Sequence, residues 1–165
     1  MKIAVQGYVD AGREIQEQIG KTAIDAVFVP CGTGTTQAGL ILGLNAPVYG
    51  ITVARDVERC KKEIASLLLN GKSDCKSNGG SYESFRECSK SDGNEEINVL
   101  PNLIQYGAKD ERINEIITAL VRSDGIFLDP VYNAKSFLAM VEFVKNRNMN
   151  NVVYVNTGGY PNIFA

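Results

Sequence analysis

Residues 27–40, VFVPCGTGTTQAGL, constrain this chain more than any other stretch. A continuous apolar run of strand length passes through a glycine-rich loop into helix-compatible sequence. Gly32 and Gly34 let the backbone approach an anion, and the free N–H groups of the following helix point at it. Thr33, Thr35 and Thr36 add hydroxyl donors. The loop suits a single phosphate monoester and fits the nucleotide motifs badly. A dinucleotide fingerprint needs glycine where Gln37 stands, and Gly71-Lys72-Ser73 has Ser66 in place of the earlier glycine of a P-loop. On the loop alone two readings stay open: a phosphate cradle, or a tight strand-to-helix turn.

The rest of the chain sets that turn in an alternating pattern. Residues 10–19 read as a short polar-faced helix ending at Gly20, residues 25–30 as a strand, and QAGLILGL as a helix stopping before Pro47. Residues 47–54, PVYGITVA, are rich in β-branched side chains and read as a second buried strand. Asp56 is placed to cap a helix through VERCKKEIASLLL, with Gly71 beyond its end. Residues 70–97 break the composition with Gly, Ser, Asn and charge, and read as a mobile or inserted polar loop.

Asp110 then caps a helix with Ile113, Ile116, Ile117 and Leu120 along one face. A short strand GIFLD, a helix over residues 134–147 and a last strand NVVYVN follow, the last closed by Thr157-Gly158-Gly159. No internal repeat is visible. Short apolar strands alternating with helices predict one α/β domain over residues 1–165: a three-layer, mostly parallel sheet with helices on both faces. Ligands of such sheets bind at the carboxyl ends of the strands, where both glycine-bearing turns fall.

Composition narrows the chemistry. Seventeen Lys and Arg against 19 Asp and Glu, without a basic stripe, point away from nucleic acid and membrane surfaces. The first residues lack the apolar core of a signal peptide, so a cytoplasmic location is the expectation. There is no histidine, and Cys31, Cys60, Cys75 and Cys88 have no C-x-x-C spacing. A zinc site would lack its usual ligands, and no metal is expected; mechanisms that need an imidazole base are excluded. Disulfides are not expected in a cytosolic chain, although Cys75 and Cys88 share the polar loop and leave one pairing open.

GTGTTQAGL, GIFLDPVYNAKS and NTGGYPNIFA, in this order, resemble the D-cysteine desulfhydrase and aminocyclopropane-carboxylate deaminase family of pyridoxal-phosphate enzymes, which has the tryptophan-synthase-β-like fold. GYVDAGREIQEQ resembles the family's segment before the phosphate-loop strand, so the likeness spans nearly the whole chain apart from residues 70–97. The resemblance implies that Gly32, Thr33, Gly34, Thr35 and Thr36 cradle the phosphate of pyridoxal 5'-phosphate. It implies that Tyr106 and Tyr132 face a small amino-acid substrate, and that the Thr157 hydroxyl meets the pyridine nitrogen. Gln105 replaces the family's glycine before Tyr106, which puts the aim of that ring in question. Lys135 matches a family position with a structural role.

Asn133 stands where cyclopropane-opening members carry a glutamate, and Gly32 where that branch has a bulkier residue. Both favour the desulfhydrase-like branch, which implies α,β-elimination from an amino acid such as D-cysteine to pyruvate, ammonia and sulfide. The family's Gly-Gly-Asn-Lys stretch with the Schiff-base lysine, and its Ser-Asn-His segment, have no counterpart here. The chain therefore resembles the C-terminal half of such an enzyme, most of the large cofactor-binding domain. Covalent attachment of the cofactor is not expected, nor is turnover by the chain alone. The alternatives are a split enzyme whose other half is a separate chain, a non-catalytic module binding a phosphorylated metabolite or a protein, and a degenerate product that merely folds. A homo-oligomer is expected in each case.

Overall fold

A computed structural model of the chain describes residues 2–74 and 96–159. Its elements in chain order are α1 (Lys2–Ile19), β1 (Ala26–Cys31), α2 (Thr35–Gly43), β2 (Val48–Thr52), α3 (Val57–Asp74), β3 (Asn98–Leu100), α4 (Glu111–Asp124), α5 (Asn133–Lys145) and β4 (Val152–Tyr154). The four strands form one sheet in the order β3-β2-β1-β4, and every neighbouring pair is parallel. The expected α/β architecture is the one observed.

Strand β1 carries the core. Its odd residues Val27 and Val29 meet Leu40 and Leu44 at the α2 side, while Ala26 and Phe28 meet Ala139 and Met140 of α5 on the other face. A strand covered on both faces needs no polar alternation, which is why AVFVPC reads as an apolar run. Helices α1 and α3 extend the first layer around Ala38, Leu42, Cys60 and Ile64, and α4 packs on α5 through Ile113 and Leu138. At the amino edge of the sheet the Asp25 carboxylate accepts from the Asn150 and Asn151 N–H groups at 2.7 and 2.9 Å, tying the starts of β1 and β4 together.

Helix α1 begins at Lys2 rather than near Asp10, because Val5 and Val9 form a buried stripe continuous with the later turns. It lies unusually close to α2. A Cβ on Gly39 would come 2.3 Å from the Tyr8 Cβ, and one on Gly43 would come 2.3 Å from the Val9 carbonyl oxygen. Two glycines one helical turn apart are what allow this approach.

Three other expectations are corrected. Helix α3, capped as expected by Asp56, which accepts from the Arg59 N–H at 2.8 Å, runs through Gly71 to Asp74. The remainder of the expected polar loop, residues 75–95, lies outside the described residues, and with it Cys75 and Cys88. Strand β3 was not foreseen. It is three residues long, and the buried Gln37 amide of α2 secures it by donating to the Asn98 carbonyl at 2.7 Å. GIFLD, finally, is not a strand. Its backbone groups are used by the helices around it: the Ile126 N–H donates to the Leu120 carbonyl in the cap of α4, and the Asp129 carbonyl accepts from Ala134 of α5.

Candidate functional site

Four connections leave the carboxyl edge of this parallel sheet. They are the loop 32–34 after β1, the segment after β2, the segment 101–110 after β3, and the turn 155–159 after β4. All of the residues expected to form a site lie on three of them or on the adjoining starts of α2 and α5.

Gly34 is the N-cap of α2, held at φ 78° in the left-handed region, and no side chain caps the helix. A Cβ at Gly34 would come 2.5 Å from the Ile64 Cγ1, so glycine is required by both backbone and packing. Gly32 differs: a Cβ there would meet nothing within 4 Å. The loop is therefore packed tightly at one glycine and open at the other. The Thr33 and Thr35 hydroxyls lie 3.1 Å apart at the mouth of the helix. An uncapped helix start with its orphan N–H groups, two adjoining hydroxyls and an open glycine fit a phosphate group well. Behind the loop, Cys31 is buried, and burial followed by the neighbouring Cys60 pushes its thiol up to about 12.

The Asp-Pro-Val-Tyr turn is organised by a fully buried carboxylate. Asp129 Oδ1 accepts from the Val131 and Tyr132 N–H groups at 3.0 and 2.8 Å, and Oδ2 from the Asn133 N–H and side-chain amide at 2.9 and 2.7 Å. A carboxylate at a helix start is favoured by the macrodipole, and four N–H donors replace its lost hydration. Gly159 packs against this group, since a Cβ there would come 2.8 Å from Asp129 Oδ2; its φ of 88° also calls for glycine.

Asn133, 1% exposed, links this turn to the last one. Its amide donates to the Gly158 carbonyl at 2.7 Å, and its Oδ1 accepts from the Thr157 N–H at 3.1 Å. The Thr157 hydroxyl lies at the edge of hydrogen-bond range from the same oxygen, 3.5 Å, with the side chain otherwise open to solvent. Tyr154 donates its buried hydroxyl to the Asn133 carbonyl at 2.9 Å, and burial raises its phenol above the usual tyrosine range. This network was not legible as a site in the sequence, where Asn133 stood out only as a replacement for glutamate.

Tyr106 and Tyr132 come together although 26 positions apart. Their hydroxyls are 3.5 Å apart and their ring centroids 6.2 Å, and the hydrogen bond between the two phenols, with partial burial, pushes the Tyr132 phenol above its ordinary value of 10.0. Tyr106 is 53% exposed. Among the described residues no hydrogen bond joins the loop 32–36 to either tyrosine or to Thr157; the loop, Tyr106 and Thr157 follow parallel strands, and Asn133 ties the Tyr132 turn to the last of them. The segment after β3 contributes one more group, the Asn102 amide nitrogen, which is buried and finds no acceptor. Among the described residues no three His, Cys, Asp or Glu side chains gather as a metal site, and no described helix is long and apolar enough to cross a membrane.

Known proteins share both the sequence and this architecture. D-cysteine desulfhydrase of Salmonella paratyphi C (strain RKS4594) is 24% identical over 174 residues, covering 99% of this chain and 49% of that protein. D-cysteine desulfhydrase of Yersinia pestis (strain Pestoides F) is 28% identical over 173 residues, covering 96% of this chain and 48% of the relative. The chain thus spans about half the length of the curated relatives it matches, their C-terminal half. The crystal structure of an ACC deaminase homologue superposes with a TM-score of 0.75 at 26% identity, over 96% of this chain and 46% of that one. The model of the pyridoxal-phosphate dependent enzymes matches residues 2–158, and the chain belongs to that family.

Proposed function

We propose that this chain is the pyridoxal-phosphate-binding, C-terminal portion of a D-cysteine desulfhydrase- or deaminase-like enzyme acting on a small amino acid. The observation that carries the reading is the uncapped start of α2, entered through Gly32-Thr33-Gly34 at the sheet edge that also bears the tyrosine pair and Thr157. The N–H groups of that first turn and the hydroxyls of Thr33, Thr35 and Thr36 hold the phosphate. Thr157 offers its hydroxyl to the pyridine nitrogen, steadied by its backbone bond to Asn133.

Pyridoxal phosphate bound there supplies withdrawal of electrons from the substrate's α-carbon. Tyr132 carries its phenol proton at neutral pH, as a tyrosine of ordinary or raised value does, and it serves as a proton donor at its hydroxyl. Tyr106 holds the Tyr132 hydroxyl in place through the 3.5 Å contact between the two phenols. The net change is deamination, with uptake of water, to a keto acid and ammonia, the β-substituent leaving with a proton (as hydrogen sulfide from a cysteine) where the route is α,β-elimination.

A polypeptide of these residues alone binds the cofactor without turnover, since the lysine segment implied by the resemblance is not among them. Activity then requires the complementary half, within a longer chain or as a separate one. Self-association is also proposed, because Leu103, Tyr106, Ile126 and Phe127 are large apolar side chains left exposed. The test is borohydride treatment with pyridoxal phosphate followed by peptide mass spectrometry. Saturable binding without a specific lysine adduct, lost in Thr33→Ala, is expected. A stoichiometric adduct on one lysine, or turnover of D-cysteine by rigorously purified protein, overturns the reading.

A further inference from the structure

Lys135 stands where helix physics argues against a lysine. It lies in the first turn of α5 and is 2% exposed. A cation there faces the positive end of the macrodipole, and removing an ammonium from water is costly unless its protons are satisfied. Its Nζ donates to the Gln105 carbonyl at 2.9 Å. The Asp110 carboxylate is near enough that this ammonium, after the hydrogen bond from Arg112, helps hold the Asp110 carboxyl below its usual range.

The Gln105 carbonyl has a second donor. The Ala108 N–H reaches it at 3.0 Å and closes a four-residue turn, with Gly107 at φ 77° where a type II turn calls for glycine. Tyr106 occupies the second position of that turn. Three residues before Lys135, Tyr132 is the N-cap of α5. One ammonium therefore joins the turn presenting Tyr106 to the helix start presenting Tyr132.

We propose that Lys135 is a positioning residue: its ammonium clamps the Gln105 carbonyl and so sets the separation of the Tyr106 and Tyr132 hydroxyls. A charged donor on a carbonyl that already accepts one N–H makes the stronger of the two bonds, and the four-carbon stem spans helix to turn. The clamp acts on backbone. Gln105 has no positive φ, so a side chain at that position leaves the turn intact. The consequence for a substrate rests on the proposed function, but the clamp is read without any ligand, so each can fail alone.

The experiment is NMR on the full chain labelled with ¹³Cζ-tyrosine, titrated through the alkaline range. In Lys135→Met, which keeps the bulk of the stem, the Tyr106 and Tyr132 signals are expected to move. The Tyr132 titration should fall toward that of an ordinary tyrosine, while Tyr49 and Tyr154 keep their signals. Lys135→Arg should restore the parent titration. A folded Lys135→Met protein with an unchanged Tyr132 titration overturns the proposal. Should that variant not fold, Lys135→Gln is read the same way: its amide falls short of the carbonyl, so a moved Tyr132 titration supports the clamp and an unmoved one overturns it. In the unaltered protein, absence of a ¹⁵Nζ–¹³C′ correlation between Lys135 and Gln105 also overturns it.

Discussion

Asn133 donates its side-chain amide to the Gly158 carbonyl at 2.7 Å, fastening the start of α5 to the turn that follows β4. The same amide donates to Asp129, so one side chain holds the tyrosine turn and the Thr157 turn in a fixed relation. Leaving such buried partners unsatisfied costs about 1–3 kcal/mol each. Asn133→Ala is expected to lower unfolding stability by roughly 2 kcal/mol in a denaturant titration. Asn133→Asp should lose more at neutral pH, because a second carboxylate then faces Asp129. Part of that loss should return as the pH falls and one of the two becomes protonated. An Asn133→Asp protein as stable as the parent at pH 7 would refute the network.

Two glycines of α1 and α2 should respond oppositely to one added methyl. At Gly39 a Cβ collides with Tyr8 and with the Val5 carbonyl oxygen, the latter at 2.7 Å, so Gly39→Ala must push the helices apart. The expected loss is on the order of 1–3 kcal/mol. At Gly7 a Cβ meets nothing within 4 Å on an exposed helical position, so Gly7→Ala should gain up to about 1 kcal/mol. Thermal unfolding of the two variants side by side checks both signs.

The loop 32–34 predicts a similar contrast. Gly34→Ala forces an unfavourable φ and a clash with Ile64, and should cost stability as well as binding. Gly32→Ala should fold as the parent does, since a Cβ there meets nothing within 4 Å, while the proposed approach of the phosphate through that space predicts weaker binding of pyridoxal phosphate. Equilibrium dialysis of the folded Gly32→Ala protein is the measurement. Unchanged affinity would place the anion elsewhere.

Stability should fall on the alkaline side. Burial, then the proximity of Cys60, raises the Cys31 thiol from 9.0 to about 12 in the folded protein. Below pH 9 both folded and unfolded states keep that proton, so this group makes no slope. Between about pH 9 and 12 the unfolded state alone ionises, and stability drops by on the order of 1.4 kcal/mol per pH unit. Tyr154, also raised by burial, adds to the decline above pH 10. Denaturation midpoints measured from pH 7 to 11 should be flat and then descend, and Cys31→Ala should flatten the first part of the descent.

Local chemistry made much of the fold legible before any coordinates. The apolar run of β1, the glycine turn into α2, and the caps at Asp56 and Asp110 all follow from one or two turns of sequence. What was missed depends on distant partners. Strand β3 is held by Gln37, 61 positions away, and no three-residue run carries a period of its own. GIFLD has strand composition, but capping bonds at both of its ends take the backbone groups a ladder would need. In the site, the pairing of Tyr106 with Tyr132 was implied only by resemblance, and neither the reach of Lys135 to Gln105 nor the web around Asn133 has any signature in spacing.

The most direct test of the account is whether the loop 32–36 recognises a phosphate on a pyridoxal ring. Equilibrium dialysis of the purified chain against pyridoxal phosphate and, separately, pyridoxal decides it. Saturable binding of the phosphorylated form at least about tenfold tighter than the other is expected, consistent with charge-assisted hydrogen bonds of roughly 1.5–3 kcal/mol each. Competition by inorganic phosphate and loss of the preference in Thr33→Ala are expected as well. Equal retention of the two compounds, or retention of neither, would contradict it.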